Sequence, residues 1–158
     1  MRRFLLLAPV LLLVGCATGA NLPPAPAQAE RLPGANVLVV RTSVEPLEAY
    51  RQFARYLASH GFELETADET LMLIQTDYRD TDRMGSSARI KINASVEVAA
   101  GGAEITTRGR LFFAPLSSED GMEIRNGGQA GSMQRRAFEE LEEIVSGFPG
   151  GTLLYARQ

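Results

Sequence analysis

"RIKINASVEV", residues 89–98, decides the fold. Ile90, Ile92, Ala94, Val96 and Val98 fall on one side of an extended chain; Arg89, Lys91, Asn93, Ser95 and Glu97 fall on the other. Because strand side chains alternate between faces, the segment predicts a strand with one apolar and one polar side. Ala99-Ala100-Gly101-Gly102 turns the chain back into "AEITTRGRLFFAP", residues 103–115. There Ile105, Thr107, Leu111 and Phe113 continue the apolar side. Antiparallel strands that are apolar on one side only make a sheet covered on a single face.

The cover must come from helices, and two are written in the sequence. Pro46 suits a first helical position, where its missing N–H costs nothing. "LEAYRQFARYLASH", residues 47–60, follows, with Leu47, Tyr50, Phe53, Ala54, Leu57 and Ala58 on one face. Gly61 is placed to close it in a left-handed cap. The second helix is expected over 132–146, with Ser132 as N-cap and Ala137, Phe138, Leu141, Ile144 and Val145 as its apolar stripe. Gly147, Pro149, Gly150 and Gly151 stop it.

The remaining strands fall around these elements. Residues 37–40 are apolar without alternation, as in a strand covered on both faces. Strands are expected at 62–66 and 70–78, separated by a turn near Ala67-Asp68-Glu69, and "TLLYAR" closes the chain as a last strand. The expected class is α+β: an antiparallel sheet with two helices on one face, in the order β-α-β-β-β-β-α-β. That order is similar to the helix-grip arrangement.

The N-terminus has another plan. Arg2 and Arg3 precede an apolar run over 4–14, followed by small residues, which is the layout of a secretory signal. As a helix this run reaches roughly 16 Å, about half of a ~30 Å hydrocarbon core. Leu13-Val14-Gly15-Cys16 resembles the lipobox of bacterial lipoproteins. The resemblance implies that Cys16 receives a diacylglyceryl group, that residues 1–15 are removed as the signal, and that the new N-terminus is acylated. Two or three acyl chains anchor stably where one does not. Cys16 is the only cysteine in the chain, so it has no disulfide partner within it. By the same resemblance, Ala17 after the cysteine points to the outer membrane, facing the periplasm. Residues 16–36 carry Pro23, Pro24, Pro26 and Pro33 among Ala, Gly and polar residues, and are expected to be an extended tether. The single globular domain is then expected over 37–158, a length suited to one core.

Charge narrows the partners. The chain has 16 basic and 19 acidic residues, and losing residues 1–15 removes Arg2 and Arg3 to leave a net charge of −5. An acidic chain with one lysine, Lys91, and no basic run argues against nucleic acid and against electrostatic adhesion to anionic lipid. Attachment to the membrane is therefore expected through the lipid alone.

No catalytic, cofactor or metal set emerges. His60, the only histidine, sits at a helix C-terminus, where the negative helix end favours it for structural reasons. Asp80, Asp82 and Gly85 match positions 1, 3 and 6 of a calcium loop, but Met84 and Lys91 stand where oxygen ligands are needed, so residues 79–88 read as a hairpin loop. "NGGQAGS", residues 126–132, has Asn126 in place of the first glycine of a dinucleotide fingerprint and reads as a mobile loop before a helix. Glu139, Glu140, Glu142 and Glu143 lie off the apolar stripe and read as solvated charge, with Arg135 and Arg136 four residues ahead of Glu139 and Glu140.

One longer resemblance remains. "LEAYRQFARYLASHGFELETADETLMLIQTDYR", residues 47–79, looks like the opening helix-Gly-Phe-strand-strand unit of BamC-type lipoproteins, accessory parts of the outer-membrane β-barrel assembly machinery. That family carries two such domains behind a long disordered segment, whereas one behind a short tether is expected here. The resemblance carries no functional residue across. The expected function is that of a non-enzymatic envelope lipoprotein that binds another envelope protein, with the polar sheet face and the loops at 79–88 and 117–131 as the available surfaces. The alternative is a carrier of a small apolar ligand between sheet and helices, in a pocket lined by Phe53, Leu57, Met72, Phe112 or Phe138.

Overall fold

The computed structural model of the chain describes residues 26–113 and 120–158. Cys16 and the signal, with residues 17–25 of the expected tether, lie outside the described residues. Strand β1 (Val37–Thr42) leads into helix α1 (Pro46–Ser59), and strands β2 (Leu64–Asp68), β3 (Leu73–Thr76), β4 (Arg79–Thr81), β5 (Gly85–Ala99), β6 (Gly102–Phe113) and β7 (Met122–Glu123) follow. Helix α2 (Met133–Ser146) and strand β8 (Gly151–Ala156) complete the order. The strands form one antiparallel sheet in the order β2-β3-β5-β6-β1-β8, with β4 paired to β5 and β7 to β6. The class is α+β, with helices packed on a sheet.

β5 and β6 are the frame. Their register runs unbroken from Ala88↔Phe113 to Ala99↔Gly102. Ile90, Ile92, Ala94 and Val96 from β5, with Ala103, Ile105 and Leu111 from β6, are buried in the main core. α1 adds Ala49, Tyr50, Phe53 and Leu57; α2 adds Ala137, Phe138, Leu141, Ile144 and Val145. The caps stand where the sequence puts them: Pro46 opens α1, Gly61 follows it at φ +80°, and the Ser132 hydroxyl accepts from the Arg135 N–H. Gly109 marks the crossing of α2 over β6, since a Cβ there would lie 2.7 Å from Leu141 Cδ2 and 2.8 Å from Ile124 Cδ1.

Several expectations need correction. Val98 points the same way as Val96 but overhangs the helices and is 83% exposed. Leu47 and Ala58 lie outside the α1 stripe and are exposed, while Ala49, outside the expected stripe, is buried. The turn between β2 and β3 comes later than 67–69, at 69–72, where Met72 takes φ +53°. The sheet has two further short strands, β4 and β7, so eight strands replace the expected six. Between β3 and β4 the ladder breaks, and the buried Thr76 hydroxyl accepts from the Ile92 N–H at 2.9 Å.

The boundary at residue 37 also moves. Gln28 and Tyr155 exchange backbone hydrogen bonds at 2.8 and 2.7 Å, adding one residue to the edge of β8. Ala35 is fully buried and Leu32 packs on the core. Buried Asn126 donates from its side chain to the Leu32 carbonyl at 2.6 Å, and its backbone pairs with Gly34 and Ala35. So the stretch 26–36 docks on the domain, and the loop before α2 is pinned at its first residue. Proline-rich composition signals little apolar area, but a chain can also dock through its backbone.

Candidate functional site: the open face of the sheet

Both helices pack on one face, which leaves the other to be described. Its residues come from alternate strand positions and line up in rows across the sheet. Leu73, Ser95, Thr106, Val39 and Leu154 are successive register partners from β3 to β8. Gln75, Asn93 and Arg108 form a second row, and Glu97, Glu104, Arg41 and Thr152 a third. The sheet is hollowed here into a trough of about 530 Å³, flanked by Pro26 and Ala27 on the β8 side.

The trough has two halves of different chemistry. Under β1 and β8, Val37, Val39, Leu154 and Ala156 form a small buried apolar cluster with Ala27 packed on it. This agrees with the unalternating run at 37–40: Leu38 and Val40 face the helices and Val37 and Val39 face the trough. Across β5 and β6 the lining is polar. Asn93 Oδ1 is shielded from solvent and accepts no hydrogen bond among the described residues. Arg41 pairs with Glu104 at 2.6 Å, and Arg108 donates to the side-chain carbonyl of Gln158.

Beyond the trough, along the same two strands, an aromatic–cationic cluster stands on the open face. The Tyr78 and Phe112 ring centroids are 5.9 Å apart, and the Arg89 guanidinium lies 4.8 Å from Phe112 and 5.6 Å from Tyr78. Lys91 reaches Glu65 and lies 5.9 Å from the Tyr78 ring. Phe112 therefore sits on the side away from the helices and cannot line an interior pocket. Of the other residues expected to line one, Phe53, Leu57 and Phe138 are fully buried, with Phe53 edge-on against Phe148 at 5.3 Å. Met72 packs on the core's margin.

Near this face, Glu123 of β7 is held by the Asn36 amide at 2.7 Å and by Arg125 at 2.6 Å. Burial pushes its carboxyl up, but these hydrogen bonds, with the charges of Arg125 and Arg108, outweigh it and bring the group below the usual range.

The glutamate run on α2 divides. Glu139 pairs with Arg135 at 2.7 Å, the expected helical neighbour, and Glu143 with Arg83. Glu142 pairs with Arg31 from the docked N-terminal stretch and accepts from the Tyr155 hydroxyl. Glu140 departs from the expectation, being only 3% exposed. It takes Arg79 at 2.9 Å and the Asp82 N–H at 3.1 Å rather than Arg136. With His60, Arg83 and Ile144 these groups border a cleft of about 390 Å³. His60 Nδ1 lies 2.9 Å from the Tyr56 carbonyl, and its ring lies tilted against the Tyr56 ring with centroids 4.1 Å apart. The arrangement ties the β4–β5 hairpin to α2. Asp80 lies in β4, Asp82 points to solvent beside Arg79, and Lys91 belongs to β5, so the calcium-loop positions are parts of a hairpin.

No protein-family model matches the chain, and comparison with curated proteins finds no match. Among the described residues, no helix is long and apolar enough to cross a membrane.

Proposed function

We propose that the chain is a lipid-anchored module of the bacterial envelope that binds another envelope protein through the open face of its sheet and performs no catalysis. The anchor rests on the lipobox-like Leu13-Val14-Gly15-Cys16, with the outer membrane, periplasmic side, as the expected address from Ala17. The binding half rests on one observation. Both helices lie on one side of the sheet, and the other side carries a trough of about 530 Å³ lined by apolar, polar and charged groups, with an aromatic–cationic cluster beyond it on the same face. Concave surfaces that mix apolar floor with a few placed polar groups are where proteins take ligands and segments of partners.

The apolar-carrier reading has less support. The side chains that would line an interior site are packed against one another, and Phe112 faces the other way.

Affinity purification of the full lipidated chain from its own membrane tests the proposal. Ser95→Trp and Thr106→Trp, which put uncharged bulk on the trough floor, are expected to lose the co-purifying partner, and Arg136→Gln on α2 to keep it. Retention by both trough variants in folded protein contradicts the proposal.

A further inference from the structure

Four cations crowd two neighbouring strands of the open face. Arg89 and Lys91 stand at alternate positions of β5, Arg108 and Arg110 at alternate positions of β6. The register sets Lys91 directly opposite Arg110, with Arg108 beside Asn93 and Arg89 beside Phe112. Like charges opposed across a ladder weaken a sheet. The chain has 19 acidic residues with which to neutralise them.

It uses few of them here. Among the described residues only Lys91 has a carboxylate partner, Glu65. Arg108 is met by the Gln158 amide, Arg110 donates to the backbone carbonyls of Asp120 and Gly121 at 2.5 and 3.2 Å, and Arg89 rests on two rings. Glu123, whose carboxylate feels the Arg108 charge, is engaged by Asn36 and Arg125.

We infer that this quartet receives the carboxylates of an extended, acidic segment of a partner protein lying along β5 and β6; the inference rests on the open face being the binding face. Charge complementarity is the first argument, since guanidinium groups without a carboxylate are matched by one in a two-pronged bond. Spacing is the second. Alternate residues of a strand stand about 7 Å apart, and so do alternate side chains of any extended segment, so acidic residues at every second position meet Arg108, Arg110 and their neighbours in step. The Asn93 amide is the third. Its acceptor lacks a donor among the described residues, and a backbone N–H of an extended segment supplies one after rotation of the amide. Arg108 lines the trough and Arg89, Lys91 and Arg110 continue beyond it along the same two strands, a linear arrangement that suits a strand-like chain.

The test uses the full chain in neutral detergent and three probes: a labelled ten-residue peptide of alternating Glu and Val, the same peptide with Gln for Glu, and the short-chain anionic lipid dihexanoyl phosphatidylglycerol. The acidic peptide is expected to bind at least about tenfold tighter than the Gln peptide, with affinity falling as salt rises. The Arg89→Gln, Arg108→Gln double variant is expected to lose about tenfold, and Arg136→Gln none. Both substituted arginines are exposed, and a thermal melt reports that the variant is folded.

Failure of the acidic peptide to bind, or lipid binding that depends on Arg89 and Arg108 in its place, overturns the inference. Equal binding of both peptides, lost in Ser95→Trp, overturns the charge inference and leaves the open-face reading standing. Acidic-peptide binding that neither the arginine pair nor Ser95→Trp affects overturns both.

Discussion

Arg79, at the start of β4, reaches the carboxylate of Glu140 in the middle of α2 at 2.9 Å, across 61 residues of chain. The same carboxylate accepts from the N–H groups of Asp82 and Arg83, and the Arg79 guanidinium lies 4.6 Å from the Phe62 ring and donates to the His60 carbonyl at 3.0 Å. One pair thus joins the hairpin, the end of α1 and α2. Glu140→Ala is expected to cost about 3 kcal/mol, because it leaves two N–H donors without their acceptor and the partly buried guanidinium with only the exposed Asp82 carboxylate. Denaturant melts check this, and the Arg79→Met, Glu140→Leu double variant should recover the part due to the guanidinium and not the part due to the two N–H donors.

The crossing of α2 over β6 gives a second expectation. Gly109→Val should cost about 1 to 3 kcal/mol, since Leu141 and Ile124 already occupy the space. The same melts read it, and a loss within about 0.5 kcal/mol would mean that the helix sits farther from the sheet than described.

The two faces of β5 and β6 should respond differently. Ile92→Ala or Leu111→Ala is expected to cost about 2 to 5 kcal/mol, because both are fully buried. Arg108→Gln on the other face should change stability by no more than about 0.5 kcal/mol. Equal losses from both sets would indicate that the open face is covered.

Acid should loosen the docked N-terminal stretch. The Glu123 carboxyl lies below its ordinary range in the folded chain, so its contribution to stability is full above the unfolded value and is lost as pH falls through the folded one. Stability is expected to decline with acid in that window, and Glu123→Gln to flatten part of the decline. Denaturant midpoints measured from neutral pH into the acid range provide the check.

What the sequence made legible follows from locality. Alternation over 89–98 named the buried side of β5, and Pro46, Gly61 and Ser132 named helix ends, because each signal is contained in a few neighbouring residues. Overhang is not contained there: Val98 obeys the alternation, and only the reach of the helices decides its exposure. Glu140 was partly legible. It lies three residues after Ala137 and four before Ile144, on the buried stripe, yet its place in a run of glutamates gave it the look of surface charge. Its partner, Arg79, is too distant in sequence to be read as such. The docking of residues 26–36 is not legible in composition, because backbone pairing of Gln28 with Tyr155 leaves no mark there. The crowding of Arg89, Lys91, Arg108 and Arg110 becomes visible only with the β5–β6 register.

The anchor has its own test. Cys16→Ser is expected to give an unprocessed or soluble product while the domain melts unchanged, and mass spectrometry of the mature N-terminus should find a lipidated cysteine. An unmodified Cys16 would contradict the anchor.

Which face meets the partner is read by a photo-crosslinking residue at Ser95, on the trough floor, compared with one at Gln52 on α1, both in the full-length chain in living cells. A discrete protein adduct is expected from position 95 and none from position 52. An adduct from position 52 alone would place the binding face on the helices and contradict the open-face proposal.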